Sequence, residues 1–422
     1  MTDKKIKILT LSDHPLSPSG VGTQTKYIIE GLLATGRYEF ISLGGAIKHS
    51  DYSSITTDKW GDQWTIFPVD GYGTPEMLRS IIRTQKPDML WFMTDPRFWG
   101  WLWDIEHEIR PLLPMVYYHV WDNFPPPFYN KNSYNSNDVI AAISKVTHEL
   151  VKTVSPDVES VYIPHSVDTE IFKKLPEEAV AAFRAERIKN ETNPDRVLFF
   201  WNNRNARRKQ GASLIFWFKK FLDIIGHENA CLVMHTDPKD VHGQDLEAII
   251  HHLELTHGQV VFSRAKISPE DLAMVYNMMD CTINVSDAEG FGLATLESLA
   301  CGTPIIANMT GGLQEQVTDG ENWFGVGLEP TSKAIIGSQE IPYIYEDRLS
   351  EAVVVEALLQ IYNLSKEERE KLGEAGRLHV EKNYNFENYT KQWDKLLTET
   401  YKKRGSWTTR KLYNSWTLEE VA

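Results

Sequence analysis

Short apolar strands and amphipathic helices alternate along almost the whole chain, and this alternation constrains the fold more than any other feature. The predicted strands of the first half are Ile6–Ser12, Phe40–Leu43, Met89–Met93, Met115–His119, Val139–Ile143 and Ser160–Ile163. The pattern restarts in the second half, with predicted strands at Val197–Trp201, Cys231–Met234, Cys281–Ser286 and Pro304–Ala307. Buried strands separated by amphipathic helices are typical of parallel sheets with helices on both faces. The sequence therefore predicts an α/β fold with two Rossmann-like, doubly wound parallel-sheet domains.

Helix start and stop signals support this alternation. The predicted helices include Thr23–Thr35, a helix opened by Thr74-Pro75, Lys145–Val154, Pro176–Asn190, Leu214–Ile225 and Leu293–Ala300. In the helix after Thr74, residues Met77, Leu78, Ile81 and Ile82 are expected to form a buried stripe. The join between the domains is expected between Asp168 and Arg196.

The segment Leu328–Leu349 breaks the pattern. It is long and contains Pro330 and Pro342. Loops of that length inside compact domains are usually functional or mobile, and a tolerated surface insertion is the alternative.

Acidic residues outnumber basic ones, which limits the classes of partner. The net charge is −14 and the pI is about 5.5, so a dedicated duplex-DNA binder is disfavoured, although a locally basic pocket stays open. The three cysteines show no CxxC spacing and predict neither a disulfide framework nor a zinc site. No stretch approaches the ~20 apolar residues of a membrane span, and the first residues lack a signal-peptide pattern. We expect a cytoplasmic protein without a transmembrane segment.

Aromatic residues cluster in the first half. Trp91 is interpreted as a core residue, whereas Trp99–Trp103 either pack in the core or form an acceptor platform or docking surface.

The strongest local signal is the segment Ser286–Glu297, in which a strand ends, a glycine-bearing loop turns and a helix begins. Such a loop lies at the carboxyl edge of a parallel sheet, and the helix N-terminus suits a phosphate. Gly290 and Gly292 allow the backbone to approach that ligand closely. Glu289 lies in the loop. Glu297 falls on the border of the apolar stripe of the helix, where it either accepts hydrogen bonds from a ribose diol or is an exposed glutamate.

A basic loop, Trp201–Lys209, also follows a strand and precedes a helix. Its cations are Arg204, Arg207, Arg208 and Lys209. Clustered cations repel one another unless they are solvated or face an anion, and arginine and lysine both suit phosphate. Because the chain as a whole is acidic, a loop that faces an anion is favoured over a solvated basic loop. Nucleic-acid phosphate is the alternative anion.

Two weaker signals lie in the first half. The segment Ser19–Gly22 lacks the third glycine of a dinucleotide fingerprint, so we expect a flexible phosphate-contacting loop rather than a NAD turn. His119 ends a predicted strand, where it is placed for a ligand hydroxyl, and a satisfied core histidine is the alternative. The six histidines between His227 and His257 lack the paired spacing of a zinc site and are interpreted as surface residues.

Together these residues resemble the retaining glycosyltransferases of family 4, which have the GT-B fold. Glu289 and Glu297 resemble that family's E-x7-E motif, and Thr310–Glu315 resembles the glycine-glycine-glutamate turn that follows it. Arg204 and Lys209 match the Arg-x4-Lys pair of the family.

The resemblance covers nearly the whole chain, with the motifs in the family's order. Ile163–Asp168 resembles the segment that closes the first domain, and Gly20 and Gly22 fall where the family has a glycine-rich acceptor-side loop. The chain departs from the family at Asn202-Asn203, which replace the usual glycine before the arginine, and the resemblance assigns no counterpart to Leu328–Leu349.

This resemblance implies two domains that face a central cleft. Residues 1–190 would form the N-terminal acceptor-side domain, and a C-terminal helix at about residues 395–422 would pack back on it. Residues 191–394 would form the domain that binds the nucleotide-sugar donor.

The resemblance also implies roles for the site residues. Arg204 and Lys209 would bind the donor diphosphate, Glu297 the ribose, and Glu289 and His119 the transferred sugar. The remaining donor-binding positions would be Gly22, Arg264, Gly290, Phe291, Gly292 and Leu293. Attack would occur on the front face with retention, and the leaving phosphate would take the acceptor proton. No metal or other cofactor is expected, because the two cations would do the work of a metal.

Other functions stay open from the sequence. A GT-B nucleotide-sugar epimerase would share the fold and phosphate site, and a non-catalytic sugar-nucleotide-binding or interaction protein is the rival from a different class. A NAD oxidoreductase is disfavoured by the first glycine loop. The sugar, the base and the hydroxyl acceptor, whether glycan, lipid, protein, small molecule or modified nucleic acid, are not specified, and peripheral membrane contact stays open.

Overall fold

The computed structural model of the protein describes residues 4–188 and 193–414, which divide into two compact units. Unit 1 comprises residues 4–166, 337–342 and 386–414 of the described chain, and unit 2 comprises residues 167–188, 193–336 and 343–385. The expected boundary at residues 190 and 191 lies outside the described residues, and so do residues 415–422 of the expected last helix.

The described part of unit 1 contains an eight-stranded sheet. Its strands are β1 (Ile6–Asp13), β2 (Tyr38–Gly45), β3 (Ile55–Thr56), β4 (Trp64–Pro68), β5 (Met89–Thr94), β6 (Met115–His119), β7 (Val139–Ala142) and β8 (Glu159–Tyr162). Their order is β3-β4-β2-β1-β5-β6-β7-β8, and all neighbours run parallel except β3 and β4. All six residues of β5 are buried, as expected of a central strand covered on both faces.

Helices connect these strands. They are α1 (Gly20–Ala34), α2 (Pro75–Gln85), α3 (Gly100–Asp104), α4 (Glu106–Ile109), α5 (Lys131–Asn135) and α6 (Lys145–Val154). The expected start of α2 is confirmed, since Thr74 caps it and Pro75 occupies its first turn. Its stripe is narrower than expected, because Met77 is 38% exposed while Leu78 and Ile82 are buried.

The expectation of a flexible loop at Ser19–Gly22 is wrong. Helix α1 begins at Gly20, because the Ser19 hydroxyl accepts a hydrogen bond from the Gly22 backbone N–H at 3.0 Å and caps the helix. Gly22 is buried in this first turn, where an added Cβ would lie 2.6 Å from the His14 carbonyl oxygen. The glycine therefore permits close packing of a helix start.

The tryptophan-rich segment packs in the core of unit 1. Trp99 is fully buried and Trp103 nearly so, and both rings contact Phe92 of β5. Trp91 is also buried, as expected. The core interpretation of Trp99 and Trp103 therefore holds over that of an exposed platform.

Unit 2 repeats the architecture. Its described residues contain β9 (Val197–Asn202), β10 (Ala230–His235), β11 (Val260–Ser263), β12 (Cys281–Asn284), β13 (Ile305–Asn308), β14 (Gly325–Leu328), β15 (Ser332–Ile336) and β16 (Ile344–Arg348). The first six form a sheet in the order β11-β10-β9-β12-β13-β14, with all neighbours parallel. The expected doubly wound parallel-sheet units are confirmed.

The helices of unit 2 follow its strands. They are α7 (Glu177–Arg187), α8 (Gly211–Ile225), α9 (Leu246–His252), α10 (Pro269–Met278), α11 (Leu293–Ala300), α12 (Gln314–Val317), α13 (Glu351–Asn363) and α14 (Lys366–Asn383). Within the part of the chain that the structure describes, no helix combines the length and the apolar character needed to cross a bilayer.

The segment Leu328–Leu349 contains regular structure. Strands β15 and β16 pair antiparallel and form a hairpin. Glu346 and Asp347 on β16 are buried, so this side of the hairpin lies against the rest of unit 2 and is not a solvated loop.

After α14 the chain returns to unit 1 with α15 (Phe386–Arg404), which packs on α1. The end of this helix and the chain that follows it are held by Asp138, a fully buried carboxylate. Asp138 accepts hydrogen bonds from Arg404 at 3.2 Å and Arg410 at 2.8 Å, and also from Arg110 at 3.3 Å. Three guanidinium groups on one buried carboxylate anchor the last part of the described chain to the sheet of unit 1.

Candidate functional site

The topology of unit 2 fixes where a ligand would bind. From the centre of the sheet, β10 and β11 follow on one side of β9, whereas β12, β13 and β14 follow on the other. Ligands of open α/β sheets bind at the carboxyl ends of the strands where the order diverges in this way. The loops after β9 and β12 lie at this switch point, and they carry the basic loop and the glycine-bearing loop.

The backbone of the glycine-bearing loop lies close to the backbone of the turn after β13. Gly292 has φ +92° and precedes α11, and an added Cβ there would lie 2.5 Å from the side chain of Leu313. Gly312, in the turn after β13, approaches so closely that its Cβ would lie 2.6 Å from the Gly290 carbonyl oxygen. The Gly312 N–H donates to the Glu289 carbonyl at 3.1 Å, so the two loops are fixed together.

Helix α11 presents its N-terminus at this loop. Among the described residues no side chain caps it, and Leu293 in its first turn is half-buried. Phe291 is buried, with its ring 6.0 Å from that of Tyr384. A helix N-terminus without a side-chain cap carries a positive dipole end that favours an anion.

Glu297 is half-buried on α11 rather than exposed. The Tyr276 hydroxyl donates to its carboxylate at 2.9 Å, and the Asn202 side chain donates to that hydroxyl at 2.8 Å. Burial raises the pKa of Glu297 to about 7, and the bond from Tyr276 opposes the shift. A carboxylate with one bond from the protein retains the capacity to accept further bonds, as from a diol.

Glu289 and Lys209 form an ion pair between the glycine-bearing loop and the basic loop. Their side chains are only 13% and 11% exposed. Burial alone would raise the pKa of Glu289, but the charges of Lys209 and Arg208 outweigh it and hold the pKa below its usual value. Arg208 also donates to the Ala288 carbonyl at 2.5 Å. Two cations therefore flank one carboxylate, which leaves positive charge beside the N-terminus of α11.

The other two predicted cations lie on the surface of unit 2. Arg204 is exposed and pairs with Asp240, with its Nε 2.6 Å from the carboxylate. Arg264, which is also exposed, directly follows β11 and pairs with the half-buried Glu247. Their roles in diphosphate and base binding stay predictions.

The two site residues predicted in the first half belong to unit 1. Gly22 lies in the capped first turn of α1. His119 is fully buried at the end of β6, with its ring nitrogens 3.1 Å from the Tyr117 hydroxyl and 2.7 Å from the Tyr134 hydroxyl. Burial lowers its pKa to about 3. This geometry favours the core-histidine alternative, and contact of His119 with a sugar stays a prediction.

Some residues of the site were not predicted from the sequence. Tyr276 on α10 supports Glu297, Asp287 is buried in the glycine-bearing loop, and Glu346 of the hairpin pairs with Arg207. The adjacent acidic residues Glu346 and Asp347 were the sequence feature that could have indicated a role for the hairpin, but their partners are distant in sequence.

Within residues 4–188 and 193–414, no group of three or more histidine, cysteine, aspartate or glutamate side chains is arranged to hold a metal ion.

Solved structures define the fold class. Sucrose-phosphate synthase from Thermosynechococcus elongatus superposes with a TM-score of 0.73 at 18% identity, over 94% of this chain and 100% of that one. The Anabaena protein Alr3699/HepE, solved in complex with UDP and glucose, gives 0.66 at 16% identity, over 93% and 100%. These neighbours are GT-B glycosyltransferases, and at such identities the likeness shows the fold alone. The fold of this chain is therefore GT-B, with two Rossmann-like units.

The family comparison matches the second half of the chain. Residues 183–379 match the family described as glycosyl transferases group 1. The chain is 24% identical over 243 residues to N-acetyl-alpha-D-glucosaminyl L-malate synthase of Bacillus anthracis, which is 55% of this chain and 57% of that protein. It is 48% identical over 54 residues to D-inositol 3-phosphate glycosyltransferase of Acidothermus cellulolyticus, which is 13% of this chain and 12% of that protein. The matches thus span less than two thirds of these relatives.

Proposed function

We propose that this chain is a glycosyltransferase that moves a sugar from a nucleoside diphosphate sugar to a hydroxyl acceptor. One observation carries the proposal. At the switch point of the unit 2 sheet, the Lys209–Glu289 pair, the N-terminus of α11 and Glu297 come from the loops and helix that follow β9 and β12. Cations and a helix dipole suit a diphosphate, and carboxylates suit the hydroxyl groups of a sugar and a ribose.

The donor would be bound by groups of matching chemistry. Arg204 and Lys209, with Arg208 beside them, would neutralise the diphosphate together with the backbone N–H groups after Gly292. Glu297 would accept hydrogen bonds from the ribose diol, and Glu289 would accept them from the sugar hydroxyls. Because fixed cations already supply positive charge, we propose that the reaction needs no metal ion.

The reaction would break the bond between the anomeric carbon and the diphosphate oxygen and form a bond from that carbon to the acceptor oxygen. The nucleoside diphosphate leaves with the bonding electrons, and its oxygen takes the acceptor proton. Charge that develops on the leaving oxygen would be stabilised by Lys209 and by the dipole of α11. We propose retention at the anomeric carbon, as the resemblance to the family 4 enzymes implies.

The comparisons support this function at the level of the class. Residues 183–379, which match the group 1 glycosyltransferases, include every unit 2 residue of the proposed site. Alr3699/HepE is described in complex with UDP-glucose, and its fold is shared by this chain. A nucleotide sugar is accordingly the donor class that we propose here.

The first experiment is a thermal-shift panel of UDP, GDP, ADP and CDP and their common sugar conjugates, with EDTA present. A ligand at a hundredfold excess over its Kd raises the free energy of unfolding by about 2.7 kcal/mol, which is readily visible. A selective shift for one base without metal would support the proposal and name the donor nucleotide. A shift that appears only with added Mg²⁺ or Mn²⁺ would refute metal independence.

Variants test the site itself. Glu297→Ala is expected to weaken donor binding through loss of ribose hydrogen bonds, and Arg204→Ala to weaken it more, because a phosphate charge is left unpaired. To reach phosphate, Arg204 must give up its ion pair with Asp240. Because the arginine is 62% exposed, this pair contributes only on the order of 1 kcal/mol and opposes the exchange weakly. Unchanged binding in both variants would show that the site assignment is wrong.

The rival functions differ in what they need and release. A transferase releases free nucleotide faster when an acceptor is added, whereas an epimerase converts the nucleotide sugar without an acceptor. A non-catalytic protein binds the nucleotide and releases no product. Product analysis with and without a panel of neutral, phosphorylated and lipid-linked hydroxyl acceptors separates the three.

A further inference from the structure

The hairpin formed by β15 and β16 is joined to the loop that carries Glu289. The Asp347 N–H donates to the Asp287 carbonyl at 2.7 Å. The Asn308 side chain bridges the two segments, since it donates to the Ser286 carbonyl and to the Asp347 carbonyl, both at 2.9 Å. Strand β16 thus continues the hydrogen-bond network of the loop after β12.

Two buried carboxylates and the partly exposed arginines that pair with them reinforce this join. Glu346 is 1% exposed and pairs with Arg207 and Arg348. Arg348 also reaches Asp287, which is 2% exposed, at 3.1 Å. A buried carboxylate that loses its partner is costly, so each of these pairs is held in place.

The same set reaches the proposed reacting groups from both sides. Asp287 accepts from the Gln210 side chain at 2.6 Å, and its N–H donates to the Arg208 carbonyl at 2.8 Å. Arg207 lies two residues before Lys209, and Asp287 lies two residues before Glu289. The separation of Lys209 from Glu289 therefore depends on how the hairpin holds the segments that carry them.

We propose that Glu346 is a positioning residue of the donor site: through Arg207 and Arg348 it fixes the pairing of Lys209 with Glu289. The proposal rests on the proposed function for its catalytic consequence, but the pairing itself can be measured without any reaction. The opposing interpretation is that Glu346 only fastens the hairpin and contributes stability.

The primary variant is Glu346→Gln, which keeps the shape of the side chain and removes its charge. We expect kcat to fall about 10- to 100-fold, because displacement of a reacting group by about 1 Å can have such an effect. The Kd for the nucleoside diphosphate should rise by a smaller factor than kcat falls, since Lys209 is only one of its proposed contacts and Glu297 and α11 lie outside the pairs that Glu346 makes. Ile335→Ser is the matched control on the same hairpin, since Ile335 is 70% exposed, and it should leave both quantities unchanged.

Amine labelling reads the pairing directly. Lys209 is 11% exposed in its pair with Glu289, so an acylating reagent should label it slowly in the wild type and in Ile335→Ser. In Glu346→Gln the rate of Lys209 labelling, measured by mass spectrometry, should rise severalfold, because the amine is exposed more often when its pairing with Glu289 is loosened. The more exposed Lys219 serves as the internal reference. Slow labelling of Lys209 in Glu346→Gln would overturn the proposal.

A double variant separates positioning from stability. Arg207→Met with Glu346→Leu replaces the buried Glu346 carboxylate and its 54% exposed partner by apolar groups, so that no carboxylate is left buried at this position. We expect its Tm to return towards that of the wild type, while Lys209 labelling stays fast and kcat stays low. If labelling and kcat return together with the Tm, the proposal fails and Glu346 is only a structural residue. A wild type that binds or turns over no nucleotide sugar would contradict the proposed function, whereas the labelling result would still decide the role of Glu346.

Discussion

Glu297 should make the protein less stable while it makes ligand binding tighter. Burial raises its pKa from 4.5 to about 7, so between these pH values the folded state holds a proton that the unfolded state has lost. Stability then falls as pH rises through this window and levels off above the folded pKa. At 1.36 kcal/mol per pKa unit the full cost is about 3 kcal/mol. Glu297→Gln has no charge to bury and keeps an acceptor for Tyr276, so it should be more stable than the wild type at pH 8 by up to that amount.

Binding should change in the opposite direction. The carboxylate is the stronger acceptor for a ribose diol, and a hydrogen bond to a charged group contributes about 1.5–3 kcal/mol. We therefore expect Glu297→Gln to bind the nucleoside diphosphate about tenfold or more weakly at pH 8. Wild-type binding should weaken as pH falls below 7, because the protonated carboxyl accepts less well.

The assay is urea unfolding of both proteins at pH 8 and at pH 4.5, with nucleotide titration on the same samples. At pH 4.5 the stability difference should almost vanish, because Glu297 is then largely protonated in the folded state. Glu356→Gln, on an exposed position of α13, controls for the loss of a negative charge. A stability difference of the same size at both pH values would refute the reasoning, because it would not come from the charge of Glu297.

Three further predictions concern other parts of the molecule. Lys209→Ala should raise the pKa of Glu289, seen as a shift to higher pH in the acid limb of the rate profile, and should lower kcat at least tenfold through the loss of charge at the leaving group; an unchanged kcat would contradict this. Gly292→Ala should lower the free energy of unfolding by about 1–3 kcal/mol in urea and should also weaken nucleotide binding. The control is Gly320→Ala: Gly320 has a similar φ of +98°, but nothing lies within 4 Å of the added Cβ, so this variant should lower stability without changing nucleotide binding. Asp138→Asn should destabilise unit 1 by about 3 kcal/mol or more in urea unfolding, because it leaves three guanidinium groups without their buried partner; a loss below about 1 kcal/mol would show that solvent replaces it.

Local signals predicted ten of the sixteen described strands, and β3, β4, β11, β14, β15 and β16 were missed. Helices Lys145–Val154 and Leu293–Ala300 have the bounds that the sequence predicted, and Gly302 and Pro304 follow the second of them as stop signals. Strand β4 was not predicted, because its buried and half-buried residues alternate over only five positions between turns. The start of α1 was placed three residues late, since glycines usually indicate a loop and the cap at Ser19 outweighed them.

The candidate site was predicted in part. The sequence placed Glu289 and Glu297 on a loop and a helix at the carboxyl edge of the sheet, and the structure has them there. It could not show that Tyr276 supports Glu297, because that contact depends on the packing of α10 beside α11. The partner of Arg207 was equally hidden, since Glu346 lies 139 residues further along the chain. Contacts over such separations depend on the tertiary fold, which periodicity does not encode.

The return of the chain to unit 1 has a consequence for biosynthesis. Apart from residues 337–342, the chain between Val167 and Phe386 forms unit 2, which is thus inserted in unit 1. Its first residue, Val167, donates to the Tyr384 carbonyl at 3.2 Å, just before the return at Phe386. Residues 4–166 therefore leave the ribosome long before α15 is made, and until then Asp138 lacks two of its three arginines. Unit 2 can complete its sheet first, whereas unit 1 cannot complete its packing until the last part of the chain has been made. A nascent chain arrested before Phe386 should therefore be the species that chaperones bind and proteases cut within unit 1.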